Sequence, residues 1–166
     1  MKYLIPVDSS RAALAPIDHL ETAMRRGASV EALVLNVQPR LHRHISQFTR
    51  RADRDALRAE RSRAAMAEAI ERLSRAGIAF RALGAVGSPA ERIAAVAEAE
   101  RVDEILMGVG RHPQWLRWLN PSIAQGVVAR TDTPVVVMAR GRESALERFL
   151  VPAGVAGLAA LLIAAD

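Results

Sequence analysis

Short apolar runs alternate with helical patterns along most of the chain. Five runs have the length of buried strands and end at turn residues: 3–7, 30–37, 78–85, 104–108 and 134–138. The segments between them repeat apolar residues at helical spacing. Strands that alternate with helices in this way predict an α/β fold, a doubly wound five-stranded parallel sheet with helices on both faces.

The helical segments carry their apolar residues on one side. The residues expected in the core are Ala13, Ile17, Leu20 and Met24 in the first helix, Ala59, Met66, Ile70 and Leu73 in the second (51–76), and Ile93, Val96 and Ala97 in the third. Pro16 is expected to bend the first helix or delay its start. The third helix is predicted to begin with Ser88 as N-cap and Pro89 in its first turn.

Composition narrows the class of protein. A chain of 166 residues, 51% of them hydrophobic, is long enough for one α/β domain with a real core. The absence of cysteine excludes disulfides and thiol chemistry. The chain enters its first strand at once, without the pattern of a signal peptide, so a cytoplasmic protein is expected.

The positive charge of the chain raises the question of an anionic partner. The net charge of +5 comes almost wholly from arginine, and no nucleic-acid-reading motif accompanies it, so no nucleic-acid partner is expected. On the long helix, arginines recur at helical spacing among acidic residues: Arg50, Arg54, Arg58 and Arg61, with Asp53, Asp55 and Glu60. Such mixed charge is typical of a solvated face with ion pairs, and an anionic partner is the alternative.

The stretch 107–122 has the pattern of a phosphate-binding turn. Gly108 and Gly110 follow a buried strand, and a helical pattern begins at Ser122. Small residues let the backbone approach a ligand, and a helix start offers free N–H groups with a positive dipole.

Several segments together resemble the universal stress protein family over about residues 1–140. They are LIPVDSS (4–10), LNV (35–37), GSPAERI (87–93), VDEILMG (102–108) and TPVVV (133–137). The resemblance implies an adenine-nucleotide-binding fold, usually a homodimer, that acts in stress tolerance without a defined catalytic reaction. It also implies that Asp8 contacts adenosine and that Val37 lines the adenine pocket. The full candidate set for ATP or another adenine nucleotide is Pro6, Asp8, Val37, Gly108, Gly110, Arg111, Ser122 and Ile123.

The phosphate loop departs from the pattern of the family's ATP-binding branch, which has three glycines before a Ser or Thr. Arg111 stands at the second glycine position, with Gly110 one place early, and Pro121 stands at the third. Proline has no N–H to donate to a phosphate. Either the guanidinium of Arg111 compensates by pairing with phosphate, or the nucleotide site has drifted.

Other chemistry is not expected from the sequence. A metal site needs three or four convergent ligands, whereas His42, His44 and His112 are expected to be solvated or to face phosphate at the pocket mouth. No catalytic set indicates an enzyme. Trp115 and Trp118 are expected to pack a short helix, with a partner-binding surface as the alternative. A protein-interaction domain that has lost nucleotide and uses these tryptophans and the tail is the alternative function.

The C-terminal part is predicted as a linker (141–147) and an apolar strand-helix tail (148–166) after the domain at 1–140. Arg148–Pro152 matches Lys2–Pro6 in residue type, which indicates the truncated start of a second repeat. Gly154 stands where Asp8 stands in the first. A membrane anchor is the less favoured interpretation. The homodimer is expected to form by antiparallel pairing of two Val135, Val136 and Val137 edge strands.

Overall fold

The computed structural model describes residues 1–39, 51–109, 121–139 and 146–149. The strands are β1 (Lys2–Pro6), β2 (Glu31–Gln38), β3 (Ala79–Val86), β4 (Glu104–Val109), β5 (Val135–Ala139) and β6 (Leu146–Phe149). The helices are α1 (Ala15–Arg25), α2 (Arg51–Arg75), α3 (Pro89–Glu100) and α4 (Pro121–Val128), and a 3-10 turn (Arg11–Leu14) precedes α1.

The described strands form one sheet in the order β3-β2-β1-β4-β5-β6. Neighbours from β3 to β5 pair in parallel, which confirms the predicted α/β fold. From β1, the chain adds β2 and β3 on one side of the sheet, and then adds β4, β5 and β6 on the other side. The sheet therefore reverses direction between β1 and β4, and ligands of such sheets bind beyond the carboxyl ends of the strands at this point.

The sheet separates two apolar cores. On one face α1 and α2 contribute Ile17, Leu20 and Leu73. On the other face α3 and α4 contribute Ile93 and Val127. Both faces of the central strands are buried, which is why their sequences read as nearly continuous apolar runs.

Pro16 delays the first helix, as predicted. The chain forms the 3-10 turn first, and α1 starts at Ala15 with the proline in its first turn, where no N–H is needed. Ser88 is the N-cap of α3, also as predicted, although its side chain makes no capping hydrogen bond.

Two residues predicted in the core are exposed. Met24 is 38% exposed near the end of α1. Ala59 is exposed because the buried positions of α2 begin one turn later, at Ser62, and continue through Met66, Ala69 and Leu73. The first part of α2 stands over a cavity instead of packing tightly on the sheet.

The prediction that β5 is an open edge strand was wrong for the described chain. β6 pairs antiparallel with β5 and aligns Val137 with Glu147 and Val135 with Phe149. An apolar edge with unpaired N–H and C=O groups favours such pairing, and a segment of the same chain supplies it here. The sheet thus has six described strands instead of five, and β6 begins at Leu146, within the segment predicted as a linker.

The apolar tail beyond β6 was predicted from residues outside the described part of the chain. The second-repeat interpretation and the comparison of Gly154 with Asp8 stay predictions. Within the described residues, no helix has both the length and the apolar character that crossing a bilayer requires.

Candidate functional site

A cleft of about 130 Å³ opens beyond the carboxyl ends of β1, β2 and β4. It lies where the sheet changes direction, and the start of α3 and the first turn of α4 close its far side. Its lining residues are Pro6, Val7, Asp8, Ser10, Ala13, Leu35, Val37, Pro89, Ile93, Met107, Gly108 and Ile123. We call this space the switch-point cleft.

Asp8 is exposed at the mouth of the cleft and is already oriented by the backbone. Its Oδ1 accepts a hydrogen bond of 2.8 Å from the backbone N–H of Ser10. This local turn is a common use of aspartate after a strand, because the short carboxylate can reach a backbone donor two residues on. The remaining acceptor capacity of the carboxylate can serve a ligand hydroxyl or amine.

A buried amide holds the backbone just before Asp8. Asn36 is 3% exposed, and its Nδ2 donates to the carbonyl oxygen of Val7 at 2.9 Å. Gln38 Nε2 donates to Asn36 Oδ1 at 2.7 Å. The N–H of Val7 donates to the carbonyl of Leu35 at 2.8 Å. Both polar groups of the Val7 backbone are therefore satisfied, which fixes the point from which Asp8 leaves the sheet.

Gly108 lets β4 approach the 3-10 turn closely. A Cβ atom at this position would clash with the carbonyl oxygen of Ala12 and would lie 2.7 Å from its carbonyl carbon and 2.9 Å from Ala13 Cα. Only a residue without a side chain fits this crossing. The glycine therefore has a packing role at the base of the cleft, beside the phosphate role expected from the sequence.

The structure brings five of the candidate residues to one place: Pro6, Asp8, Val37, Gly108 and Ile123 all line the cleft. Ser122 lies in the first turn of α4. Gly110 and Arg111 lie outside the described residues, as do His42, His44, His112, Trp115 and Trp118. The nucleotide role of the whole set stays a prediction.

Sequence reasoning missed seven residues of the lining, namely Val7, Ser10, Ala13, Leu35, Pro89, Ile93 and Met107. Pro89 and Ile93 were interpreted only as the start and the core face of α3. A signal for them existed, since in a doubly wound sheet the helix start that follows a strand lies at the ligand edge.

The chemical character of the cleft favours binding over catalysis. Among its described lining residues, Asp8 is the only ionisable one, and most of the others are aliphatic. A slot with apolar walls and a few polar groups at its rim suits a flat ring attached to hydroxyl groups. In the part of the chain that is described, no three His, Asp or Glu side chains come together as a possible metal site.

The model of the universal stress protein family matches residues 1–151 of the chain. The chain belongs to the universal stress protein family. A comparison with curated proteins finds no match.

Solved structures share the fold over most of the chain. Hypothetical protein MJ0577 is 25% identical, with a TM-score of 0.67, and the match covers 86% of this chain and 97% of that one. A universal stress protein family protein from Arabidopsis thaliana with AMP bound is 17% identical, with a TM-score of 0.61, and coverage of 85% and 92%. The universal stress protein from Archaeoglobus fulgidus in complex with dAMP is 20% identical, with a TM-score of 0.57, and coverage of 82% and 96%.

Family membership also bears on activity and assembly. Universal stress proteins are generally not enzymes, and they are commonly dimeric. The first statement agrees with a binding module as the general class of protein.

Proposed function

We propose that this chain is a stress-response module of the cytoplasm that binds an adenine nucleotide in the switch-point cleft. The adenine ring would lie between the aliphatic residues of β2, β4 and α4, and Asp8 would accept a hydrogen bond from the ribose. The observation that carries this proposal is the position of the apolar cleft, with the Asp8 carboxylate at its mouth, at the point where the sheet reverses.

The structural neighbours support the class of ligand. Universal stress proteins with the same fold were crystallised with AMP, cAMP or dAMP. All three share adenine, a ribose or deoxyribose, and one phosphate group on the 5′ oxygen. The enclosed volume of the cleft is small compared with the roughly 300–1,000 Å³ of ordinary ligand pockets, so its described walls would hold the nucleoside and not the phosphates.

Phosphate binding is expected to be weak. Pro121 is the first residue of α4, so one of the free N–H groups at this helix start is missing. We therefore expect adenosine, AMP and ATP to bind with similar affinity, with a dissociation constant of about 1 mM, equivalent to about −4 kcal/mol. Replacing Pro121 by Gly restores the donor and is expected to favour ATP over adenosine.

Isothermal titration calorimetry with adenosine, AMP and ATP tests the proposal. The Asp8→Asn variant keeps an oxygen acceptor for the Ser10 N–H but loses the charge, and we expect it to bind all three ligands about tenfold more weakly. Asp132 is exposed in the turn before β5, at the opposite edge of the sheet, so Asp132→Asn is the matched control. Unchanged binding in Asp8→Asn would contradict the assignment of the cleft, and micromolar ATP binding by the unaltered protein would contradict the weak phosphate grip.

We also propose that a homodimer forms at the end of the sheet that carries β6. The original prediction used the edge of β5, but β6 already pairs with that edge. A chain that ends at Arg140 would expose the edge of β5, and we expect it to self-associate at a lower concentration than the full chain. Analytical ultracentrifugation of both chains measures this, and equal association constants would show that this end of the sheet is not the assembly surface.

A further inference from the structure

A second cavity lies away from the switch-point cleft, between residues 55–70 of α2 and residues 82–86 of β3. It measures about 440 Å³, within the range of about 300–1,000 Å³ typical of small-molecule sites. It shares no lining residue with the cleft. We call it the helix-strand cavity. Two residues of its lining each have a buried polar side-chain atom that makes no hydrogen bond.

Ser62 supplies one of these atoms. The residue is 6% exposed, and its Oγ has no hydrogen-bond partner. The hydroxyl points toward Gly84 of β3, because a Cβ atom added to that glycine would lie 3.0 Å from Oγ. The missing side chain of Gly84 keeps open the space in front of the hydroxyl. A buried hydroxyl without a partner is unfavourable and requires an explanation, and a ligand that enters the adjoining cavity would supply the missing partner.

Arg58 supplies the other atom. It lies one helical turn before Ser62, so both side chains project from the same face of α2. Its Nη1 forms an ion pair with Asp55 Oδ1 at 3.3 Å, but its Nε is buried and has no partner. The two unsatisfied groups can both donate, and a guanidinium presents its donors to the two oxygens of a carboxylate.

The charges around the cavity favour an anion. Arg58, Arg63 and Asp55 are the ionisable residues of the described lining, which leaves one positive charge in excess. Arg63 Nε donates to the carbonyl of Ala59 at 3.3 Å. The Asp55 side chain is 58% exposed, so water screens its repulsion of an incoming carboxylate.

The rest of the lining is apolar. Met66 and Ile70 extend the cavity along α2, and Ala82 and Val86 form its floor on β3. Val86 is 36% exposed, so apolar surface continues to the opening. A ligand that fits must therefore combine an anionic acceptor with a hydrocarbon chain. We propose that the helix-strand cavity binds a medium-chain carboxylate, with its head group at Arg58 and Ser62 and its chain along Met66 and Ile70.

Titration of the full-length protein with octanoate, followed by amide chemical shifts, tests this proposal. We expect saturable shifts confined to residues 55–70 of α2, to residues 82–86 of β3 and to Gln38, with no change at the switch-point cleft. Octanol has the same chain without the charge and is expected to bind at least about tenfold more weakly, because a hydrogen bond to a charged group contributes more than a neutral one.

Three variants locate the site. Ser62→Ala removes the free hydroxyl, Arg58→Met keeps the stem and removes the donors, and Gly84→Ala places a methyl group in front of Oγ. Each is expected to weaken octanoate binding at least about tenfold. Ser74→Ala changes an exposed serine of the same helix and is the control. Circular dichroism shows whether each variant is folded.

Two results would overturn the proposal. One is the absence of saturable shifts with octanoate, and the other is wild-type affinity in both Ser62→Ala and Gly84→Ala. Neither result would affect the proposed nucleotide site, since Asp8 lies in the other cavity.

Discussion

At Gly108, β4 passes close to the backbone of Ala12 and Ala13 in the 3-10 turn. Both the packing of the fold and the base of the switch-point cleft depend on this close contact. The Gly108→Ala variant would force a methyl group into the backbone of Ala12 and Ala13, which cannot rotate away as a side chain can. We expect a loss of about 1–3 kcal/mol in the free energy of unfolding, as for other overpacked sites, together with weaker adenosine binding. Urea denaturation and calorimetry measure the two effects.

Gly84→Ala is the matched control for this prediction. Its added Cβ would meet only the side chain of Ser62, which can change rotamer. If Gly108→Ala were no less stable than Gly84→Ala, the close approach of β4 to the 3-10 turn would not matter for stability.

Ser62 gives a second prediction at this scale, on stability instead of binding. Removing a buried hydroxyl that has no partner relieves an unmet hydrogen bond, and alanine is the better helix former. Ser62→Ala should therefore raise the free energy of unfolding of the ligand-free protein by about 1 kcal/mol, measured by urea denaturation. A destabilised variant would show that the hydroxyl makes a favourable interaction in the ligand-free state.

The sequence showed some of this residue-scale chemistry and concealed the rest. The resemblance to the family indicated Asp8, and Gly108 was indicated because it ends an apolar run and begins a glycine-containing turn. The sequence did not distinguish Ser62 from any other serine on a charged helix, since the cavity beside it depends on how far α2 stands from β3.

Among the elements, α3 ends in a strained conformation. Arg101 follows its last residue with a φ of 50°, in the left-handed region that favours glycine, and its N–H donates to the carbonyl of Glu98 at 3.1 Å. Arg101→Gly should raise the free energy of unfolding by about 1 kcal/mol. Thermal or urea denaturation measures the gain.

Arg101→Ala is the control at this position, because it removes the arginine side chain but keeps a Cβ. It should show little or none of the gain. Equal stabilisation by Ala and Gly would mean that the arginine side chain, and not the backbone conformation, is the unfavourable feature.

Sequence patterns predicted the elements well. At most of their ends, the five parallel strands begin or finish one residue away from the predicted bound. Apolar runs between turn residues restrict where a strand can begin and end. The pattern did not predict β6. LERF is short and half charged, and it becomes a strand only because β5 offers it an unpaired edge.

For the whole molecule, an ion cluster ties distant parts of the chain together at the amino end of the sheet. Lys2 Nζ on β1 lies 2.9 Å from Glu100 Oε2 at the end of α3. Arg81 on β3 binds the same carboxylate through two hydrogen bonds of 3.0 and 3.1 Å. The hydrogen bonds from Lys2 and then Arg81 lower the pKa of Glu100 below its ordinary value of 4.5.

This shift predicts a dependence of stability on pH. Because the pKa is lower in the folded than in the unfolded protein, the contribution of Glu100 is present above its unfolded pKa and is lost as the pH falls through the folded value. Glu100→Gln should therefore reduce stability at pH 7 and show a smaller loss between pH 5 and pH 3 than the unaltered protein. Urea denaturation across this pH range measures the difference.

Glu98→Gln, an exposed neighbour on the same helix, is the control. The assignment to the cluster fails if the two variants lose stability in parallel as the pH falls.

The amino-acid sequence by itself determined the alternation of strands and helices, the delayed start of α1 and the position of Asp8 beyond a strand, because these depend on local periodicity and on the backbone limits of proline and glycine. Only the tertiary structure decided that β6 covers β5, that Gly108 is a packing residue, and that Arg58 and Ser62 face a cavity. Each of these depends on how separate elements pack against one another, and local patterns carry no information about that packing.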